Sequence, residues 1–338
     1  MAGEAMAREI REQPGMLRAR AEGWEGEALR LRRGALAGRG TLVVLGRGSS
    51  GNAATFATYL WALRTGRHPV EFRPWLATQP LPAADWSDAA VLAFSASGRS
   101  TDVAQAAAWL RGRGARVVAV TESADVETHV ARAAHDVLAL EAGPERAAPA
   151  TKSFCAQLFA AAALCGYPIR KAALQTADAM DMVLAADLAE PVARFLAGAR
   201  TVSWVSRGFS IAGALDAALK FQQTTDLPSF AHSTAEFLHG PIGGCDDRDR
   251  VVLFSEIDEP LASKRAVEAT LLARRVPLLA LGVDHSEEAA LPLPLPDDRW
   301  ARTAMLAFVS QLTCLEVAVT HGLDPDTPAG LRRVTPPP

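Results

Sequence analysis

Two tandem α/β domains, each a doubly wound parallel sheet in a three-layer, flavodoxin-like arrangement, are the architecture this sequence predicts. Three observations carry the prediction. Short apolar runs recur along the chain and alternate with helix-patterned stretches, which is the signature of parallel strands buried on both faces. The run at residues 41–45 (TLVVL) leads into Gly46-Arg47-Gly48-Ser49-Ser50, and far downstream residues 201–205 (TVSWV) lead into Ser206-Arg207-Gly208-Phe209-Ser210, so the opening pattern has a counterpart. A length of 338 residues, 49% of them hydrophobic, supports two full cores and argues against disorder.

Residues 1–40 read as amphipathic helix, with Pro14 breaking the first piece. Residues 41–45 form the first strand and 53–65 a helix. Residues 69–73 make a second strand. Residues 90–94 (AVLAF) form a third, followed by Ser95-Ala96-Ser97-Gly98-Arg99-Ser100 and a helix over 104–112. Residues 116–120 and 136–140 complete five strands. A loop rich in Ala, Gly and Pro spans 141–149, and a long alanine-rich helical stretch runs from 151 to about 197. Strands at 201–205, 251–254, 277–281 and 291–295 then mirror the first half, the last of them interrupted by prolines. A closing helix covers 300–320. The expected organisation is a helical segment at 1–40, domains at 41–195 and 196–322, and an extended tail at 323–338.

Composition narrows the function. A formal net charge of −3 offers no basic field for nucleic acid. The arginines between Arg18 and Arg39 are interleaved with acids, as on a solvated helix face. Cys155, Cys165, Cys245 and Cys314 are far apart and show no zinc spacing, which fits a reducing, cytoplasmic compartment. No signal peptide is visible, and no apolar run reaches the roughly 18 residues of a membrane span. His68, His129, His135, His285 and His321 are scattered without metal-ligand spacing, so neither metal nor cofactor is expected.

Chemistry concentrates in three places. Gly46–Gly51 follows a strand and opens a helix, where small residues and free backbone amides attract anions; Gly48, Ser49 and Ser50 are its candidate ligands. This loop also fits the G-x-G-x-x-G expression of dinucleotide sites, but Glu71 reads as mid-strand rather than at the strand end where a ribose-binding acid belongs. Ser95, Ser97 and Ser100 repeat the design after the third strand, and two such loops favour phosphate over a dinucleotide. The third place is residues 215–241. Leu215, Ala218, Leu219 and Gln222 mark a helix on which Lys220 and Gln223 share a face. Pro228 ends it, residues 229–232 are extended, and His239-Gly240-Pro241 reads as a tight turn. Lys220, Glu236 and His239 thus bring ammonium, carboxylate and imidazole into one segment, the types suited to acid/base work near neutral pH.

The joint order of these motifs resembles the sugar isomerase (SIS) family, including the isomerase half of glucosamine-6-phosphate synthase and stand-alone glucosamine-6-phosphate deaminases. EIREQP, GRGSSGNA, SASGRSTD, ATKSF, SRGFS, AEFLHGP and DPDTPAGLRRVT carry the resemblance over nearly the whole chain. It implies that Ser95, Ser97 and Ser100 hold a sugar phosphate, with Thr151 and Arg333 also on the substrate. Ala96 stands where the synthase commonly has Gln. It implies that His239 opens the hexose ring, reaching the active site from the neighbouring subunit of a homodimer, and assigns no role to His232. Two departures follow. Gln223 occupies the place of the family's proton-shuttling Glu, and a neutral amide cannot serve as a general base. Arg332 or Arg333 occupies the place of a tail Lys, and guanidinium cannot form a Schiff base. Asp226 and Glu236 are the carboxylates that could stand in.

The resemblance therefore implies an enzyme of aldose–ketose isomerisation with deamination of a hexosamine phosphate. The alternative is a sugar-phosphate sensor that has lost its chemistry at Gln223. The synthase proper is disfavoured because no glutaminase segment precedes the first strand. The 40 residues there also leave little room for a DNA-binding domain. An apolar face on the closing helix (Met305, Leu306, Phe308, Val309, Leu312) adds a reason to expect a dimer. The expected partner is a hexose or hexosamine phosphate, with no nucleic acid and no membrane.

Overall fold

A computed structural model describes residues 2–124, 128–255, 261–282 and 290–331. Its ten strands are β1 (Thr41–Leu45), β2 (Val70–Glu71), β3 (Ala89–Phe94), β4 (Arg116–Thr121), β5 (Asp136–Ala139), β6 (Val202–Ser206), β7 (Ser229–Ser233), β8 (Arg250–Ser255), β9 (Leu278–Gly282) and β10 (Ala290–Pro292). They form two five-stranded sheets, ordered β2-β1-β3-β4-β5 and β10-β9-β8-β6-β7, and every pairing is parallel. Both orders correspond to 2-1-3-4-5, the doubly wound pattern, so the expected fold class stands. The chain divides into two compact units that interleave in sequence. One holds Gly15–Glu145 and Lys152–Leu174; the other holds Met1–Pro14, Arg146–Thr151 and Gln175–Leu331.

In the first unit, β1 and β3 are runs of apolar residues buried on both faces, as parallel strands between helices must be. Val43, Leu45, Val91, Ala93, Val117 and Ala119 form one core with Val103, Ala106, Ala107 and Leu110 of the Thr101–Arg111 helix. Beneath the other face, helix Ser49–Thr65 packs with Lys152–Leu164, whose 13 residues are all buried. The expected long helix after residue 151 is in fact three, Lys152–Leu164, Arg170–Ala186 and Glu190–Leu196. The chain turns at Gly166 and Pro168, and again at Asp187, whose φ is 50°.

In the second unit, Trp204 lies against Phe221 and Phe254 with ring centroids 6.2 and 5.7 Å away, beneath the Ile211–Thr225 helix. The next residue, Val205, points to the opposite face and packs with Phe237, Val251, Leu253, Val267 and Leu271. Helix Arg299–Thr320 covers the Ile211–Thr225 helix. Two expectations change here. Met305, Leu306, Phe308 and Val309 are buried within the chain itself, so this face is no argument for a dimer. The helix is also long and apolar enough to cross a membrane by composition, but 72% of the relevant window is buried, as in a core helix. The tail is not simply extended. Residues 324–330 are turn-rich, and the Asp326 carboxylate accepts hydrogen bonds from Ala5 N (2.9 Å) and Met6 N (2.7 Å) at the start of the Glu4–Arg11 helix. Residues 332–338, with Arg332 and Arg333, lie outside the described residues.

Candidate active site

The 2-1-3-4-5 order brings the ends of β1 and β3 side by side and sends their helices to opposite faces, leaving a crevice at the switch point. The two serine-rich loops meet there. Ser50 Oγ accepts from the Ala96 amide at 3.2 Å and lies 3.0 Å from the side-chain amide nitrogen of Gln157. Arg47 pairs with Asp102 at 2.8 Å, tying the starts of the two helices together. Within the second loop, Ser95 Oγ donates to Ser100 Oγ at 3.3 Å, and Ser97 Oγ accepts from the Arg99 amide at 3.3 Å. Gly98 has φ +65°, and a Cβ there would lie 2.7 Å from Thr128 and 2.8 Å from Thr121 Oγ1. A Cβ on Gly46 would meet the Ser50 carbonyl at 2.5 Å. Neither N-cap residue, Gly48 or Ser100, caps its helix with a side chain, and both helix N-termini face the crevice region where an anion is favoured; in the second helix the Val103 amide donates to Asp102 Oδ1 at 2.9 Å. Ser49, Ser50 and Ser95 are buried, whereas Ser97 and Ser100 are half-buried beside the amides.

Behind the loops is a group that sequence reasoning passed over. Glu122 accepts from the Gly143 amide at 2.8 Å and the Ala142 amide at 3.2 Å. Burial raises its carboxyl above the usual range, against those two hydrogen bonds and nearby Lys152. Glu145 accepts from the Ser153 amide and hydroxyl at 3.1 and 2.6 Å, fixing the segment that ATKSF signals. Glu71 requires a correction. It ends β2 rather than lying mid-strand, which is where a ribose-binding acid would stand; it is engaged with Arg73 at 3.2 Å.

The second unit separates residues that the sequence placed together. Lys220 is fully buried and pairs with Asp216, itself 1% exposed, at 3.3 Å; Gln223 Oε1 lies 3.5 Å from the same ammonium. Their helix packs on the Trp204 face of the sheet. Glu236 and His239 sit on the Thr234–His239 helix after β7, capped by Ser233 Oγ, which accepts from the Glu236 amide at 3.2 Å. Phe237 of that helix belongs to the Val205 face, so Glu236 and His239 lie across the sheet from Lys220 and Gln223. His239 ends this helix before Pro241–Gly244 forms a tight 3₁₀ turn. An open pocket of ≈560 Å³ is lined by His232, Ala235, Glu236, His239, Gly240 and Pro241. Asp226, in the left-handed conformation at φ 57°, is exposed and does not line it. Thr151 is buried and its carbonyl accepts from Gln311 at 3.4 Å. His232, to which the resemblance assigns no role, also lines the pocket; its i, i+2 spacing from Phe230 on a strand was the signal available. Among the described residues, no group of three or more His, Cys, Asp or Glu is placed to hold a metal.

The chain belongs to the SIS domain family, whose model matches residues 35–165 and 195–294. The chain is 31% identical, over 97% of its length, to a glutamine–fructose-6-phosphate aminotransferase [isomerizing] of Aeropyrum pernix, of which it covers 56%. The chain spans about half the length of the curated relatives it matches. Its fold superposes on the C-terminal domain of glucosamine-fructose-6-phosphate aminotransferase from Francisella tularensis with a TM-score of 0.85 at 18% identity, covering 96% of this chain and 98% of that one. A glucosamine-6-phosphate deaminase from Thermotoga maritima gives a TM-score of 0.78 at 20% identity, covering 98% and 99%.

Proposed function

We propose that this protein binds a phosphorylated hexose or hexosamine and catalyses its aldose–ketose isomerisation, with release of ammonia from an amino-sugar phosphate. The observation that carries the reading is the pair of serine loops at one switch point, where hydroxyls and two uncapped helix N-termini converge. Ser97 and Ser100, with the amides after them, hold the phosphate; Ser49, Ser50 and Ser95 shape the cradle. His239 promotes ring opening, acting in a homodimer on the substrate of the neighbouring copy, and Glu236 assists it. Lys220, buried against Asp216, orients Gln223 rather than exchanging protons with substrate. Arg333 is assigned to the substrate's polar groups. The names of the relatives support both activities.

A second reading is favoured by one observation. Gln223 is an amide where the family carries its base, so the chain would bind sugar phosphates without turning them over. Incubation with glucosamine 6-phosphate and fructose 6-phosphate, followed by ammonia and sugar analysis, separates the two. Turnover in the wild type supports the enzyme. Tight binding without turnover, restored by Gln223→Glu, supports the impaired form.

A further inference from the structure

We propose that His232 is the proton acceptor of the Glu236–His239 pocket, taking the role that Gln223 cannot fill; the proposal rests on the isomerase reading above. Strand alternation puts Phe230 and His232 on one face of β7. The imidazole is nearly parallel to the rings of Phe230 (6.4 Å between centroids, 25° between planes) and Phe237 (5.6 Å, 29°). It lines the pocket together with Glu236 and His239. Among the described residues, no hydrogen bond engages its ring, so its nitrogens are free for a ligand. Glu236 is the charge that acts on it and His239 the other titratable group of the pocket; Lys220 and Asp216 lie across the sheet, paired with each other. Burial lowers the basicity of His232 below that of an ordinary imidazole, with Glu236 opposing. The ring is therefore neutral near neutral pH, the form that accepts a proton.

His232 and His239 line one pocket, so a substrate that meets one meets the other. In the open-chain aldose, the C2–H bond breaks and the proton passes to His232. Its electron pair forms the C1=C2 bond of an enediol while O1 takes a proton from His239. His232 then returns its proton to C1 as the C1=C2 pair closes on it. The O2–H proton passes back to His239 as the C2 carbonyl forms, leaving both imidazoles as they began.

The test is deuterium incorporation at C1 and C2 of fructose 6-phosphate and glucosamine 6-phosphate in D₂O, across about pH 5–8, for wild type, His232→Phe and His232→Gln. His232→Phe keeps an aromatic ring at this position and removes both ring nitrogens. We expect exchange to fall about 100-fold or more in both variants. Calorimetric affinity for fructose 6-phosphate should stay within about threefold, and the acid limb of the pH profile should disappear. Wild-type exchange and an unchanged acid limb in His232→Phe would overturn the proposal and leave the isomerase reading intact. A wild type that binds fructose 6-phosphate yet exchanges no deuterium overturns both and leaves the binding reading. If the variants do not fold, imidazole NMR of the wild type decides: movement of the His232 resonances on adding fructose 6-phosphate supports the proposal, and none refutes it.

Discussion

The serine loops and the His232–Glu236–His239 pocket are built on opposite terms. In the loops, Ser50 and Ser95 are 8% and 2% exposed, glycines sit where a Cβ would collide, and the hydroxyls bond to neighbouring loop groups. In the pocket, Glu236 and His239 are exposed on a six-residue helix, and no hydrogen bond among the described residues engages the His232 ring. The first is a tightly packed pair of loops held by backbone and buried hydroxyls. The second presents exposed side chains on a short helix. Binding is thus assigned to rigid structure, and chemistry to groups held ready on the surface.

The largest expected effect sharpens the exposed side of this contrast. His239→Asn should reduce isomerisation of fructose 6-phosphate about 10²–10⁴-fold while leaving calorimetric affinity nearly unchanged. A rate equal to wild type would move the chemistry elsewhere. Next comes the buried pair across the sheet. Lys220→Met removes the ammonium that pairs with buried Asp216 and should cost about 3–5 kcal/mol in urea unfolding. The double variant Lys220→Met/Asp216→Leu should recover most of that loss. If the single change is harmless, Lys220 is not the structural support assigned to it.

Gly98→Ala probes the rigid side. It forces a residue with a Cβ into φ +65° against Thr121 and Thr128, and should destabilise the fold by about 1–3 kcal/mol in thermal or urea melts. Hexose-phosphate binding should weaken with it. The smallest effect is a pH dependence. The folded pKa of His232 is lowered, so between the unfolded value near 6.5 and that lower value the unfolded chain binds more protons. Its contribution to stability is therefore complete above the unfolded pKa and is lost as pH falls through the folded one. Half-exposure keeps the effect small. Melting curves of wild type and His232→Phe should run parallel above about pH 7, and wild type should lose stability relative to the variant as pH falls below the unfolded value; a constant gap would contradict the assignment.

Much of this was legible because strand, glycine and serine punctuate the chain locally. TLVVL before Gly46 and AVLAF before Ser95 place both loops without any long-range information. The relation between Lys220, Glu236 and His239 was not legible. They lie within twenty residues, yet β7 carries the chain through the sheet plane and puts them on opposite faces. His232 was given no role because a lone histidine has no period of its own; its place beside Phe230 and Phe237 and in the pocket lining appears only in three dimensions. The apolar stripe of the closing helix suggested a partner subunit, but the Ile211–Thr225 helix already covers it. Glu71 was misread because β2 is two residues long, shorter than its apolar pattern.

The most direct test is a calorimetric titration of wild type and Ser97→Ala with fructose 6-phosphate and with fructose. The serine-loop account predicts binding of the phosphate ester, little binding of the free sugar, and a loss in Ser97→Ala of about 1.5–3 kcal/mol, or tens-fold in affinity. Equal affinity for both sugars, or an unchanged affinity for fructose 6-phosphate in Ser97→Ala, would contradict it.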